Sequence, residues 1–208
     1  MIVYGSSLSP FVRKTLTFIN EKGLAVEHKP ITPPSTLPEF RACSPLGKVP
    51  GFADGDYRLS DSSAICHYLE RKYPTPALFP ESAEEIGRMI WFEEFTDTVL
   101  IAAAGKVFFQ LNVRPKVLNE EPDMAVVDQA LTKELPPLFD YLERQIAGPF
   151  LIGNRLTLAD IAVHCPFVNL KLAGRPLEAE RWPKLGGYLA GLLARPTFKV
   201  RDPKEATQ

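Results

Sequence analysis

Hydrophobic residues in the first part of the chain alternate between short extended runs and helical spacing. Residues 2–4 form an apolar run that predicts a strand. A helix is predicted to begin at Ser9 and Pro10, because serine is favoured at the cap position and proline at the first helical position. Its apolar residues recur with a helical period until Gly23, which is typical of a helix end. Residues 25–29 predict a second strand, so these elements form a βαβ unit.

An irregular segment follows this unit, and a β-hairpin comes after it. Prolines interrupt residues 30–38. Residues 49–53 and 57–60 are predicted to pair as a β-hairpin around the turn signal at 54–56, which reads Asp-Gly-Asp. A helix over residues 64–73 follows. The order β-α-β, then β-β-α, predicts a small mixed sheet with helices, of the thioredoxin-like type.

The rest of the chain has helical periodicity throughout. Residues 74–83 contain three prolines and predict a linker. Thr157 and Asp160 have the spacing of a capping box, a folding feature rather than a catalytic one. Prolines inside the second and third predicted helices indicate a kink or a split. The predicted helices span residues 84–113, 127–142, 157–170 and 185–193.

The predicted architecture is therefore α/β followed by all-α. We expect a thioredoxin-like domain over residues 1–76, a linker over 77–83 and an all-helical domain over 84–208. A chain of 208 residues is long for one domain and comfortable for two.

Composition excludes several classes of function. The chain is 45% hydrophobic and 24% charged, the balance of a globular protein that buries a core. Its 24 basic and 25 acidic residues give a net charge of −1, whereas nucleic acids and anionic membranes attract concentrated basic surfaces. No apolar run reaches about 18 residues, and the N-terminus lacks the pattern of a secretory signal. Three cysteines without metal-type spacing predict reduced thiols. We therefore expect a cytoplasmic protein that binds neither nucleic acid nor membrane.

Three short motifs could carry chemistry, although each has a purely structural explanation. Ser9 before Pro10 could act only as a helix cap, and Ser62 after Asp61 has the same explanation. The segment 47–50, Gly-Lys-Val-Pro, could be a turn that leads into a strand. No two histidines have the spacing of metal ligands, so we expect no metal.

Taken together, four segments resemble bacterial, serine-type glutathione S-transferases. These segments are distributed over residues 4–163, and they occur in the order and at the spacing of that family. They read YGSSLSPFVRKTLTFINEKG at 4–23, SPLGKVP at 44–50, LSDSSAICHYL at 59–69 and LIGNRLTLADIAV at 151–163. The resemblance implies the glutathione transferase fold, glutathione as co-substrate and a small hydrophobic electrophile as second substrate. It also implies a homodimer with a role in detoxification.

The resemblance assigns the catalytic role to Ser9. In the serine-type enzymes, the serine before Pro-Phe donates a hydrogen bond to the glutathione sulfur. Such a donor at a helix N-terminus lowers the pKa of a thiol and stabilises the thiolate, so Ser9 is an activator and not a nucleophile. Capping and activation compete for this hydroxyl, and Ser6 and Ser7 are the alternative donors if Ser9 only caps its helix.

The same resemblance assigns the binding of glutathione to two further segments. Val49 matches the position whose backbone pairs with the cysteinyl part, and Pro50 matches the cis-proline that exposes this backbone. Lys48 matches the residue that pairs with the glycyl carboxylate. Asp61 and Ser62 match the acidic-Ser pair that binds the γ-glutamyl end, although most relatives have glutamate at the first position.

The type of reaction and the second substrate stay open at this stage. A serine instead of a cysteine at position 9 argues against thiol transfer, and the loop lacks the Ser-Ser-Cys of the isomerase branch. Conjugation and peroxide reduction both begin from the same thiolate. The alternative is a non-catalytic module of this fold that acts as a stress regulator or docking domain. An aromatic cluster in the helical part of the chain consists of Trp91, Phe92, Phe95, Phe108 and Phe109. We expect most of these side chains to pack in the core, and the resemblance places some of them in the electrophile pocket.

Overall fold

The computed structural model describes residues 1–200, and the chain divides into two compact units. Among the described residues, the first unit contains Met1–Phe79 and 195–200, and the second contains Pro80–Ala194. Residues 201–208, the end of the predicted helical domain, lie outside the described residues. Within residues 1–200, no helix has the length and apolar character that a bilayer crossing requires.

A four-stranded mixed sheet forms the centre of the first unit. Its strands are β1 (Ile2–Tyr4), β2 (Glu27–Lys29), β3 (Gly51–Asp54) and β4 (Tyr57–Ser60), in the order β2-β1-β3-β4. β1 pairs in parallel with β2, as the βαβ pattern predicted, and antiparallel with β3; β3 and β4 form the predicted hairpin. Tyr4 lies opposite Gly51, and Gly51 lies opposite Ser60. The end of β1, the start of β3 and the end of β4 therefore meet at one edge of the sheet.

Three helices belong to the same unit: α1 (Pro10–Glu21), α2 (Pro38–Cys43) and α3 (Ser62–Lys72). α1 and α3 begin where the sequence predicted helix starts. α2 lies in the segment predicted to be irregular, and the prediction was wrong there because Pro38 occupies the first turn of a helix, where its missing N–H costs nothing. A short 3₁₀ turn, Pro196–Phe198, returns to the first unit and contacts α1.

The second unit is helical, as predicted. Its α-helices are α4 (Ala83–Glu94), α5 (Ile101–Phe108), α6 (Met124–Gln129), α7 (Leu135–Gln145), α8 (Leu158–Leu172) and α9 (Pro183–Ala194). Three π-helical segments, Phe95–Leu100, Phe109–Leu118 and Ala130–Glu134, connect consecutive α-helices. The predicted long helix thus extends to Leu118 with three changes of helix type.

Prolines affect the two predicted helices of this unit differently. The π-helical segment Ala130–Glu134 ends directly before α7, which has Pro136 in its first turn, so the prolines coincide with the predicted split. α8 continues through Pro166.

The predicted capping box starts α8. The backbone N–H of Thr157 donates to Oδ2 of Asp160 at 2.8 Å. The other carboxylate oxygen, Oδ1, accepts from the N–H of Leu151 at 2.8 Å and from the hydroxyl of Tyr188 at 2.9 Å. Burial raises the pKa of the Asp160 carboxyl, whereas these hydrogen bonds lower it. Asp160 therefore joins three parts of the helical unit, and its role is structural.

Candidate functional site

Ser9 caps α1 through a long hydrogen bond. The residue has an extended backbone, with φ −71° and ψ 125°, and Pro10 follows as the first helical residue. Its Oγ accepts from the backbone N–H of Val12 at 3.5 Å, the outer limit of a hydrogen bond. A hydroxyl has one proton and two lone pairs, so acceptance from Val12 leaves the O–H of Ser9 available as a donor. The two roles considered for this hydroxyl are therefore compatible.

The other two serines of this loop have different surroundings. Oγ of Ser6 accepts from the backbone N–H of Leu8 at 3.2 Å. Ser7 is buried, with 4% of its surface exposed, whereas Ser9 is partly exposed. Of the three hydroxyls, the one on Ser9 thus combines a helix N-terminus with access from outside.

The second segment presents Val49 between a turn and a cis peptide. The bond between Val49 and Pro50 is cis, as the resemblance implies. The buried hydroxyl of Ser44, which sequence reasoning missed, donates to the carbonyl of Lys48 at 2.6 Å and fixes the backbone directly before Val49. Lys48 itself is exposed, and among residues 1–200 its ammonium has no ion-pair partner.

Asp61 and Ser62 begin α3 with an unusual backbone conformation. Asp61 has φ 80° and ψ 127°, and its Oδ1 accepts from the N–H of Ala64 at 3.0 Å. A positive φ in a non-glycine residue costs about 1–3 kcal/mol, and such residues cluster at functional sites. Asp61 is exposed, and Ser62 is 3% exposed at the first helical position. The sequence predicted this helix start but carried no signal for the strained backbone.

Sheet register brings these three segments to the same edge. The loop that contains Ser9 leaves β1 after Tyr4, the cis peptide precedes β3, and Asp61 follows β4; the paired residues Tyr4, Gly51 and Ser60 lie in one row. A Cβ on Gly5 would lie 2.6 Å from Cγ2 of Val12 and 2.9 Å from Cβ of Val49. The first turn of α1 and the Val49 segment therefore contact each other across Gly5, whose importance the sequence did not reveal.

A buried lysine in the second turn of α1 connects this helix to the first turn of α3. Nζ of Lys14 donates to Oγ of Ser63 at 3.0 Å, although only 1% of the surface of Lys14 is exposed. Sequence reasoning missed Lys14, because a lysine beside apolar neighbours is ordinarily a solvated side chain. Neither helix has an acidic residue in its first turn. The N-terminus of α1 and a buried ammonium thus provide positive potential that favours an anionic ligand, whereas the carboxylate of Asp61 already caps the N-terminus of α3.

The remaining candidates have structural roles or surface positions. The three cysteines, Cys43, Cys66 and Cys165, are buried and form no disulfide. Nδ1 of His164 lies 2.6 Å from the carbonyl oxygen of Ile161, so this histidine is part of a satisfied core. Within residues 1–200, no group of three or more potential ligands could hold a metal ion.

The aromatic cluster of the second unit divides by exposure. Phe92 and Phe95 are buried, as predicted, and Phe108 is partly buried. The exceptions to core packing are Trp91 and Phe109, which are 53% and 44% exposed. Nε1 of Trp91 donates to the hydroxyl of Tyr141 at 2.6 Å; both residues belong to the helical unit.

Comparisons with known proteins agree on one family. Residues 3–77 match the glutathione S-transferase N-terminal domain, and residues 114–200 match the C-terminal domain. Glutathione S-transferase 3 of Zea mays is 34% identical over 205 residues, which cover 95% of this chain and 90% of the maize protein.

Two solved structures extend the similarity to the fold. One is glutathione S-transferase I bound to lactoylglutathione, with a TM-score of 0.85 and 28% identity over 95% of this chain and 96% of the other. Another is glutathione S-transferase I from maize in complex with an atrazine glutathione conjugate, with a TM-score of 0.80 and 30% identity over 94% and 93% of the two chains.

Proposed function

Because this chain belongs to the glutathione S-transferase family, we propose that its Ser9 hydroxyl activates the thiol of glutathione for attack on a small electrophile. Glutathione transferase activity itself rests on the homologues and on the conjugates bound to the similar structures. The observation that carries the assignment to Ser9 is the partly exposed hydroxyl at the N-terminus of α1, whose capping bond uses a lone pair and leaves the proton free.

The proposed step begins with the loss of the thiol proton to solvent. The Ser9 O–H donates a hydrogen bond to the resulting thiolate, and the positive end of α1 stabilises the same charge. The sulfur then attacks the electrophilic carbon. In conjugation, a carbon–sulfur bond forms, and the leaving group departs with the electron pair of the bond that breaks. Ser9 thus stabilises charge and forms no covalent bond.

We assign the binding of glutathione to residues at the same edge of the sheet. The backbone of Val49, next to the cis bond to Pro50, is proposed to pair with the cysteinyl part. Ser62, at the N-terminus of α3, is proposed to bind the γ-glutamyl carboxylate, and Asp61 the α-amino group. The exposed ammonium of Lys48 is proposed to pair with the glycyl carboxylate.

Three broader assignments are also proposals. The helical domain is proposed to form the electrophile pocket. A homodimer is supported by the family to which the chain belongs, whose resemblance implies one. A cytoplasmic location is supported by three buried cysteines that form no disulfide.

The test of the catalytic assignment compares Ser9→Ala with the matched variant Ser6→Ala. Removing one donor to a developing anion lowers kcat by about 10²-fold. We expect Ser9→Ala to show this loss in conjugation of an aryl halide, with a KM for glutathione close to that of the wild type, because the hydrogen bond strengthens as the thiolate forms. Ser6→Ala should retain activity. Wild-type turnover in Ser9→Ala would move the role to another donor of this loop.

A further inference from the structure

One face of the sheet in the first unit is only partly covered. Side chains alternate along a strand, so Tyr4 on β1 shares a face with Ala53 and Arg58, which are paired on β3 and β4. Tyr4 and Ala53 pack with Phe40 and Cys43 of α2 in one apolar cluster. α2 has only six residues, and a cavity of about 620 Å³ remains beside it. This volume is within the range of small-molecule sites.

The cavity is lined by a buried phenol without a hydrogen-bond partner. Tyr4 is 3% exposed, and among residues 1–200 its hydroxyl neither donates nor accepts a hydrogen bond. The Tyr4 hydroxyl is not among the buried unpaired polar atoms of residues 1–200, so it keeps access to solvent and can donate to a ligand in the cavity. The ordinary pKa of a tyrosine is about 10, and burial raises that of Tyr4 further, so the phenol is a donor at neutral pH.

An exposed arginine on β4 lines the same cavity, and two backbone carbonyls bind one end of its guanidinium. Nη1 of Arg58 donates to the carbonyl of Gly55 at 2.5 Å and to that of Tyr57 at 3.1 Å. In the part of the chain that the structure describes, Nε and Nη2 of Arg58 have no partner. A guanidinium that is held by one nitrogen and free at the other two is preorganised for a planar acceptor such as a carboxylate.

The other charged residues favour an anion over a cation. Lys29 lines the cavity, and its Nζ lies 5.8 Å from the centre of the Tyr4 ring and 3.4 Å from a carboxylate oxygen of Glu27. Glu39 is the acidic residue of the lining, against the two cations Lys29 and Arg58. Apolar surface is provided by Ile2, Pro38, Ala42 and Ala53.

We propose that this cavity binds a small aromatic carboxylate. Its carboxylate group accepts from Arg58 and from the hydroxyl of Tyr4, and its ring packs on the apolar lining beside the ammonium of Lys29, which interacts favourably with an aromatic face. The cavity lies on the sheet face that carries Tyr4 and Arg58, and none of the residues proposed to bind glutathione lines it. This inference is therefore independent of the proposed function.

The test is calorimetric titration of the full chain with 2-naphthoate while S-hexylglutathione is present at a saturating concentration. We expect binding with a Kd below about 1 mM, and binding at least tenfold weaker for 2-naphthamide, which has the same ring without the charge. Arg58→Gln should weaken binding of the naphthoate at least tenfold, and Tyr4→Phe about threefold to tenfold. Arg71→Gln, which removes an exposed positive charge from α3 outside the cavity, should leave Kd unchanged.

Three results would overturn the proposal: a Kd above about 10 mM for the wild type, equal binding of acid and amide, or an unchanged Kd in Arg58→Gln. Thermal unfolding of each variant establishes that it is folded before titration. A failure of S-hexylglutathione to bind would count against the proposed transferase site alone, because the naphthoate titration is interpretable without it.

Discussion

Gly5 sets the distance between the helix that carries Ser9 and the segment that carries Val49, so Gly5→Ala should damage the proposed site. A methyl group at this position would lie 2.6 Å from Cγ2 of Val12 and 2.9 Å from Cβ of Val49. Favourable contacts between carbon atoms are about 3.5–4.0 Å long. One or both segments would therefore have to move by about 1 Å.

Two costs add up in this variant. The φ of Gly5 is +134°, a conformation that costs a non-glycine residue about 1–3 kcal/mol. Overpacking of a buried contact costs about another 1–3 kcal/mol. The sum, about 2–6 kcal/mol, is a large part of the 5–15 kcal/mol that ordinarily stabilises a domain. A displacement of about 1 Å at a reacting group can lower the rate by about 10²-fold, so we expect a comparable loss of kcat/KM in molecules that remain folded.

Urea unfolding and the aryl halide assay measure the two effects separately. Gly55→Ala is the matched control, because Gly55 also has a positive φ, +58°, but nothing lies within 4 Å of the added Cβ. It should lose a smaller amount of stability and retain activity. In a double mutant cycle, Val12→Ala should partly restore Gly5→Ala, with a coupling of about 1–3 kcal/mol, because it removes the methyl group at 2.6 Å. The proposed role of Gly5 between Val12 and Val49 would be refuted if Gly5→Ala had the free energy of unfolding of the wild type and a kcat/KM within about twofold of it.

Two further predictions concern stability. Thr17→Val should leave the free energy of unfolding unchanged or raise it by about 1 kcal/mol, because Oγ1 of Thr17 is buried and has no partner within residues 1–200. The control is Thr15→Val, which removes a hydrogen bond of 3.2 Å to the carbonyl of Phe11. A larger loss of stability in Thr17→Val than in Thr15→Val would contradict the prediction. The hydrogen bond from Lys72 lowers the pKa of Asp54 below its ordinary 3.8. Ionised Asp54 therefore stabilises the fold above pH 3.8, and this stabilisation is lost as the pH falls below that value. Asp54→Asn should therefore lose less stability on acidification than the wild type, and equal pH profiles would count against the interaction.

Sequence reasoning succeeded where an interaction involves close neighbours along the chain. Helix caps join residues only three positions apart, so the starts at Ser9, Asp61 and Thr157 could be recognised from residue types. The hairpin of β3 and β4 depends on a short turn, so it could also be predicted from the sequence. The roles assigned to the site residues came from a family resemblance, because each motif alone also fits a structural explanation.

The features that sequence reasoning missed depend on distant residues or on backbone detail. The contact of Gly5 with Val49 joins segments that are far apart in the chain and meet only through the sheet register. Burial of Lys14 depends on the packing of α1 against α3. The π-helical segments, such as Phe109–Leu118, differ from α-helix by one residue per hydrogen-bonded turn, and side-chain periodicity hardly distinguishes the two.

Ser9 illustrates why a structural and a functional explanation of one motif need not exclude each other. A helix N-terminus has backbone N–H groups without partners, so it favours an acceptor side chain at the cap position. The same unpaired groups and the helix dipole favour an anion beside that cap. A serine satisfies both requirements, because a lone pair accepts from Val12 while the O–H can donate to a thiolate. The helix start that first suggested a structural role for Ser9 is therefore also the physical basis for its proposed role in activating glutathione.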